Sequence, residues 1–585
     1  MCKAINNNPS FKDAYKNSNE FRKIIENDHY KKIASIAKKI EGFPRQKGLH
    51  AAGIIINDES LNLVLPIIGD ENSPAPFEAS FLEELNFLKM DILGLRNLSI
   101  IEDILLSIKE KENIDIDILN IPLDDQKTFD VLNKGFTKGI FQLKDEGITK
   151  ALKEINIDSF SDIIALNALY RPGPMDSIPL YAKRKKGLEK IDYLDDRLIP
   201  ILKETFGIIV YQEQIMKIAQ DIAGLSLGKA DLLRRAISKK DENKLKILEK
   251  EFIDGAISNG LGISKAKTIY NYIYKFADYG FNKSHSVSYS YISYQLAYLK
   301  ANYPKHFYSV MFEYQANSTS KYSSFFNELD YFSINILKPD LNKSQIGFLI
   351  DEKGIRLPLS SIISFSSNIE KEIINERNKN GVFLDYKNTI SRLHNLGVDI
   401  KTINLLINSG ALDYTNLTRE TMRKNIEKFI QYSISISENT DLSEEQLSFL
   451  EPIIDLYEGT KSEDYKLELS ANGILLSGSL FETFNSYFEN KKISNISYAL
   501  KNSNKKVTLP LFINLVKVFE TKANKEMAIL ECYDDKNTIK VVVFPTIYEK
   551  MPLLIKGDAI LVEGIYKIDE KGSSFIAESI IKMEV

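Results

Sequence analysis

Apolar positions in this chain follow two periods, and the change between them divides it. Residues 1–45 are mixed and mainly helical; Ile33, Ile36 and Ile40 fall at helical spacing within Tyr30–Ile40. Between 50 and 95 the pattern shortens to strand-like runs, Gly53-Ile54-Ile55-Ile56 and Leu63-Val64-Leu65, broken by Asn57-Asp58 and Pro66. From 96 to about 310 the helical period returns, as in Leu98–Ile108, Gln212–Ala223 and Ser288–Ala301, each closed by Gly, Pro or polar residues. A smaller helical zone covers about 368–435, and an acidic stretch opening at Ser437-Glu438-Asn439-Thr440 reads as a linker.

The last 80 residues change character. Phe512–Glu520, Met527–Tyr533, Ile539–Phe544, Ala559–Tyr566 and Phe575–Ile581 are strand-like, with turn residues between them. A short helical piece, Thr546–Leu554, separates the third and fourth. Five strands with a helix in that place predict an OB barrel, a fold that commonly binds single-stranded nucleic acid; a purely structural barrel is the other reading.

Composition narrows the class. At 585 residues several domains are expected, and 44% hydrophobic with 27% charged residues describes a soluble globular protein. No apolar run nears membrane-span length, and Met1-Cys2-Lys3-Ala4-Ile5-Asn6 is not a signal sequence, so no membrane role is expected. Cys2 and Cys532 are the only cysteines, which excludes a disulfide framework or cysteine-rich zinc site and fits a reducing cytoplasm. With a net charge of −4, any DNA contact must come from local basic patches. Abundant Lys, Asn and Ile with no Trp read as the print of an AT-rich genome.

Candidate chemistry starts at Phe87-Leu88-Lys89-Met90-Asp91-Ile92-Leu93-Gly94-Leu95. Strand alternation puts Lys89 and Asp91 on one face. A carboxylate beside an ammonium suits a site for Mg²⁺ and a triphosphate; a salt bridge at a strand end is the competing reading. Tyr170-Arg171-Pro172-Gly173-Pro174 is a rigid turn presenting a guanidinium, followed by the basic run Lys183-Arg184-Lys185-Lys186. Gly207-Ile208-Ile209-Val210-Tyr211 predicts a strand leading into a helix. In the helix from Leu225, the stripe Leu227, Ala230, Leu233 and Ile237 leaves Arg234, Arg235, Lys239 and Lys240 free to face an anion. Lys283, Ser284 and His285 stand just ahead of another helix, a natural phosphate site. Any one of these could be a solvated charged face.

Together and in this order, the strings FLKMDILGL, GIFQL, ALYRPGP, YQEQIMKIAQ, LLRRA and YGFNKSHS resemble the signature of the bacterial DNA polymerase III alpha subunits, the C-family replicative polymerases. The resemblance runs from about Lys31 to the end. It implies a multidomain α+β fold: partial thumb (1–45), partial palm (46–95), large helical fingers (96–367), helix-hairpin-helix and clamp-binding region (368–435), linker with clamp-binding motif and helical segment (436–505) and OB-fold barrel (506–585). It also implies template-directed transfer of deoxynucleotides to a primer 3′-OH with two Mg²⁺ ions held by three palm aspartates. On this resemblance Asp91 matches the third aspartate, the metal ligand, and Lys89 the palm lysine. Arg45, Lys47 and His50 match a basic turn at the palm edge, and Arg171, Arg234, Arg235, Lys239, Lys283 and His285 become candidate triphosphate or template contacts. Implied partners are primer-template DNA, dNTPs, the replicative sliding clamp and other holoenzyme subunits.

Departures from the family pattern shape the expectation further. The other two aspartates of the family lie in a Pro-Asp-X-Asp motif, which does not occur here before Asp91. The chain is therefore expected to be the carboxy-terminal two-thirds of such a subunit, truncated before the amino-terminal phosphoesterase-like domain and part of the palm, with an incomplete two-metal site. Serines at Ser361-Ile362-Ile363-Ser364-Phe365-Ser366-Ser367 replace a glycine-rich hairpin, leaving the Ser409-Gly410-Ala411 hairpin as the better duplex-backbone grip. Gln446-Leu447-Ser448-Phe449-Leu450 resembles the clamp-binding peptide of the family with its last two residues inverted; a helix packing on its own domain is the alternative. Two functional classes follow: a piece of a DNA-directed DNA polymerase, or a catalytically inactive DNA- and clamp-binding protein. The absence of Trp favours a misread gene, since UGA-as-Trp codons stop a standard-code translation.

Overall fold

The structure, a computed structural model, describes residues 10–43, 48–69, 74–239, 242–277, 280–314, 325–438, 443, 446, 449–479, 482–488, 491–521, 525–534, 537–569 and 572–583. The chain divides into two units, Met1–Arg96 and Asn97–Val585.

The first unit opens with three helices, Phe11–Asn17, Asn19–Glu26 and Asp28–Ile40, each started by a side-chain cap from Ser10, Ser18 and Asn27 respectively. Phe21 is the fully buried anchor, with Phe11 edge-on at 5.1 Å. The third helix lies where the apolar spacing predicts it, yet it buries Ala34 and leaves Ile33, Ile36 and Ile40 exposed. Strands β1 (Gly53–Ile56) and β2 (Leu88–Asp91) then pair antiparallel, Gly53 opposite Asp91 and Ile55 opposite Lys89. The expected strand Leu63-Val64-Leu65 is not formed; Leu61–Val64 is a helical turn, which the Leu65 amide closes on the Leu61 carbonyl (2.8 Å) just before Pro66.

In the second unit the helical zone is built as the periodicity predicts, with Leu98–Ile108 inside Arg96–Glu112, Gln212–Ala223 reproduced to the residue, and Ser288–Ala301 inside Lys283–Asn302. The long helix Lys283–Asn302 is buried on several sides. Its serines satisfy themselves on neighbouring backbone, Ser286 on Ile164 O (2.7 Å) and Ser293 on Phe141 O (2.8 Å). A second core gathers residues 198–273, where Gly255 lets its helix touch Ala223: a Cβ there would stand 2.1 Å from the Ala223 carbonyl oxygen. Gly207–Val210 is not a strand. Only Tyr211 makes a bridge, parallel to Phe281.

A small sheet, β3 (Asn335–Leu337), β4 (Leu349–Asp351) and β5 (Gly354–Arg356), with β5 central, precedes the helices Ser367–Asn380, Tyr386–Asn395, Ile400–Asn408 and Arg419–Glu438. The chain ends in a closed barrel of β6 (Lys506–Glu520), β7 (Glu526–Tyr533), β8 (Thr538–Val543), β9 (Ala559–Asp569) and β10 (Gly572–Met583), in the order β10-β8-β7-β6-β9. A helical turn, Pro545–Tyr548, sits between β8 and β9. This is the OB topology read from the sequence, with β6 beginning six residues earlier because Lys506–Phe512 pairs with β9 before the strand turns to β7. No helix among the described residues is long and apolar enough to cross a membrane.

Candidate nucleotide and DNA site

Two groups of candidate residues emerge, one in each unit. In the first, the β1–β2 register sets Asp91 against Gly53, and Lys89 Nζ reaches Asp91 Oδ1 at 2.6 Å. His50 Nδ1 stands 3.8 Å from the same oxygen. Gly53 makes this possible, because a Cβ would lie 2.8 Å from His50 Nδ1 and 2.9 Å from Lys89 Cε. The hydrogen bond from Lys89 holds the Asp91 carboxyl below its usual range, against desolvation and with smaller help from the neighbouring Lys89 and His50. Lys89 and Asp91 thus share one face, as strand alternation predicts, and form an ion pair at the strand end. Arg45 and Lys47 lie outside the described residues.

The donor set does not fit two Mg²⁺ ions. Among the described residues, no three His, Cys, Asp or Glu side chains gather as metal ligands, and Asp91 faces a lysine in place of a second carboxylate.

In the second unit, four predicted residues converge on the Tyr211–Phe281 bridge, where Gln212 N–H donates to Phe281 O (2.9 Å) and Phe281 N–H to Val210 O (3.0 Å). The Arg171 guanidinium lies 4.2 Å over the Phe281 ring, with its Nε on Ala168 O. The Phe281 ring meets His285 edge-on, and His285 stacks on Tyr289 at 4.2 Å, which in turn meets Phe141. Lys283 opens its helix behind the Asn282 cap. Its amide donates to Glu213 and its Nζ pairs with Glu204 at 2.7 Å. Arg234 reaches into the same region through Gln212 Oε1 (3.2 Å).

The arginine pair departs from expectation. Arg234 and Arg235 are not free: both bind Asp231, at 2.8 and 2.7 Å. Residues three and four positions apart face each other on a helix, so an acid at 231 takes both cations. These bonds, Arg234's first, depress the Asp231 carboxyl. Lys239 ends the helix Leu227–Lys239; its side chain is not described. The basic run is partly committed to the protein itself: Lys185 pairs with Asp162 (2.6 Å) and Asp158 (3.0 Å), and the exposed Lys186 donates to Glu154 O. Sequence reasoning missed Glu204, Glu213 and Asp231. Their signal was a carboxylate near each invoked cation, close in sequence only for Asp231.

Three family models match: the bacterial DNA polymerase III alpha NTPase domain over residues 1–94, its finger domain over 97–260, and a helix-hairpin-helix motif over 333–422. DNA polymerase III subunit alpha of Halalkalibacterium halodurans is 37% identical over 565 residues, 94% of this chain and 50% of that protein. The chain belongs to the bacterial DNA polymerase III alpha family. The Staphylococcus epidermidis and Bacillus subtilis alpha subunits are 36% and 35% identical, covering 97% and 95% of this chain. The chain spans about half the length of these curated relatives, 50–53%, a smaller share than the expected two-thirds.

Within the region matched as helix-hairpin-helix, the Ser409-Gly410-Ala411 turn has its amides engaged internally, on Leu405, Ile407 and Leu406 carbonyls. Gly410 is required there: its φ is +81°, and a Cβ would strike Arg419 Nη2 at 2.5 Å. Arg419 ties the turn down through Asp413 and the buried Glu468. The expected backbone grip is thus committed to the protein's own core. In the clamp-like segment, Gln446 and Ser443 cap each other reciprocally, Phe449 is 89% exposed and Leu450 is half exposed; Leu447 lies outside the described residues. Beyond it, residues 451–460 have no regular structure and are strapped to the helix Arg419–Glu438. Buried Asn425 holds Asp455 through both backbone groups, and Thr421 accepts from Tyr457 N–H (2.9 Å).

Proposed function

We propose that this chain serves template-directed DNA synthesis in chromosomal replication, as part of an enzyme that transfers a nucleotide from a dNTP to a primer 3′-OH. The observation that carries the reading is the convergence of Arg171, Arg234, Lys283 and His285 on the Tyr211–Phe281 bridge. Cations there stand beside an aromatic ladder, an arrangement suited to phosphate on one side and a base on the other. In this reading Lys283 and Arg234 hold triphosphate oxygens, Arg171 orients the aromatic face, and His285 with Tyr289 supports the template or the incoming base. Arg235 and Lys239, further residues of the helix that carries Arg234, are DNA contacts in this reading.

The Lys89–Asp91 pair is the palm contribution. Asp91 is one metal carboxylate of a divalent, Mg²⁺-dependent site, Lys89 keeps it ionised, and His50, Arg45 and Lys47 of the same turn are phosphate contacts in this reading. Because the donor set here does not complete that site, no catalytic step is assigned to this chain alone. Residues 1–45 form part of the thumb, 46–95 part of the palm, 96–367 the fingers, 368–435 the helix-hairpin-helix and clamp-binding region, 436–505 the linker and 506–585 the OB barrel. Partners are primer-template DNA, dNTPs, the replicative sliding clamp through Gln446, Leu447, Phe449 and Leu450, and other holoenzyme subunits, in the cytoplasm. Joining the chain to the part of a relative it does not match, and assaying primer extension with and without Asp91→Asn, tests the reading.

A further inference from the structure

Lys283 is held by two carboxylates at opposite ends of one residue. Glu204 takes the side chain, whose Nζ lies 2.8 and 2.7 Å from its two oxygens. Glu213 takes the backbone. The Lys283 amide donates to Glu213 Oε1 (3.1 Å) and Oε2 (3.0 Å), and Asn282 Nδ2 donates to Oε1 (3.1 Å). Lys283 is the first residue of the helix Lys283–Asn302, where an amide has no acceptor within the helix. The Asn282 cap serves the His285 amide (2.8 Å), so the Lys283 amide falls to Glu213.

The segment that carries Glu213 is anchored. Next to it, Gln214 is 4% exposed and uses both ends of its amide: Oε1 accepts from the Val210 and Tyr211 amides (2.9 and 3.0 Å), and Nε2 donates to Thr205 Oγ1 (2.9 Å) and Ile201 O (3.1 Å). Opposite, residues 280–282 meet this segment through one bridging pair, Tyr211 with Phe281. The approach is close: a Cβ on Gly280 would stand 3.2 Å from Ile215 Cδ1 and 3.3 Å from Gln212 Cγ. One bridge fixes a register weakly, since a sheet draws its register from several cross-strand pairs. The bond from the Lys283 amide to Glu213 is a second clasp, two residues further along on both sides.

We propose that Glu213 is a positioning residue of the nucleotide site: by holding the Lys283 amide it sets where the Lys283 ammonium stands, and it touches no substrate itself. In this role, which rests on the proposed function, Glu213 acts through Lys283 on the triphosphate oxygens. A lysine is a point charge on a flexible stem, so its placement follows from where its backbone is fixed and what its stem lies against. Glu213 provides the first, and the Tyr211 ring, 5.2 Å from Nζ, the second. The charge of Glu213 works in the other direction, because a carboxylate beside a cation weakens that cation's hold on a polyanion. Reach and charge therefore have opposite signs, and each can be removed without the other.

The test is steady-state dNTP kinetics of the joined enzyme, the 585-residue chain completed with the part of a relative it does not match. Glu213→Asp keeps the charge and shortens the reach by a methylene; it is expected to raise the dNTP KM about fivefold with kcat within about twofold of the parent. Glu213→Gln keeps an acceptor at full reach and removes the charge; its KM is expected within about twofold of the parent. Glu213→Asp combined with Lys283→Ala is expected to be no worse than Lys283→Ala alone, because the first acts through the second. A parent-like KM in Glu213→Asp with a lowered KM in Glu213→Gln makes the carboxylate a counter-charge and overturns the role. So does a double variant at about fiftyfold, the product of independent effects of about fivefold and tenfold. A fall in kcat with unchanged KM and a lower melting temperature in Glu213→Asp leaves only a helix cap, and overturns it too. Lys283→Ala is read in parallel. If it is silent, the nucleotide reading fails and the positioning role with it; if it raises KM while Glu213→Asp does not, only the positioning role fails.

Discussion

Lys283 Nζ rests 2.7 Å from Glu204, so the cation best placed for a phosphate is already held by a carboxylate. Both side chains are more than a third exposed, and an exposed pair is worth only about 0–1 kcal/mol. A triphosphate can therefore displace Glu204 at small cost. In the joined enzyme, Lys283→Ala and Arg234→Ala should each raise the dNTP KM about tenfold or more with little change in kcat, because in the proposed function they hold phosphate alike before and during reaction. Glu204→Gln should lower KM. Steady-state kinetics with both alanine variants silent would remove these residues from the nucleotide site.

Asp91 carries a different expectation. In the proposed function its carboxylate acts in the transition state, so Asp91→Asn should reduce turnover of the joined enzyme by about a hundredfold or more while DNA affinity stays within about twofold. Binding by anisotropy and single-turnover extension separate the two. A parallel loss of DNA affinity would mean that the Lys89–Asp91 pair is structural.

The fold offers a stability test away from the site. Lys300 is fully buried, pairs with Glu328, and donates to Lys138 O (2.8 Å), while Tyr308 donates to Glu328 (2.8 Å). Burial pulls the Lys300 ammonium down to about 8, against the attraction of Glu328. A lysine with a lowered folded pKa binds fewer protons than the unfolded chain between about 8 and 10.5, so this group makes stability rise with pH through that window. Glu328→Gln strands the charge and should cost about 3–5 kcal/mol by chemical denaturation, whereas adding Lys300→Met should recover most of it. A single variant as stable as the parent would contradict the network.

The legible part of this molecule was its periodicity and its ordered strings. Gln212–Ala223 and the five barrel strands follow from apolar spacing and turn residues, because each is settled within about a dozen neighbours. The hidden part depends on distant partners. Glu204 is 79 positions from Lys283, and the pairing of Phe281 with Tyr211 spans a whole helical subdomain. Arg234 and Arg235 show the opposite case: Asp231 was in plain view three and four residues away, and the apolar stripe drew attention from it. Leu63-Val64-Leu65 reads as a strand because a three-residue apolar run carries no period; it belongs to the helical turn Leu61–Val64 and the residue that closes it.

In the segment proposed to bind the clamp, Phe449 and Leu450 stand outside any core, while the 451–460 strap anchors the chain on their carboxy-terminal side. Gln446→Ala with Phe449→Ala should weaken clamp binding at least about tenfold, roughly 1.4 kcal/mol, without altering the melting curve. Calorimetry giving parent-like affinity places the clamp contact elsewhere.

Primer extension tests the central claim most directly. The account predicts no incorporation by the 585-residue chain alone with dNTPs and Mg²⁺, and Asp91-dependent incorporation once it is joined to the part of a relative it does not match. Robust Asp91-dependent extension by the isolated chain would show that the metal site is misplaced, and a folded, DNA-bound joined enzyme that incorporates nothing would contradict the polymerase reading itself.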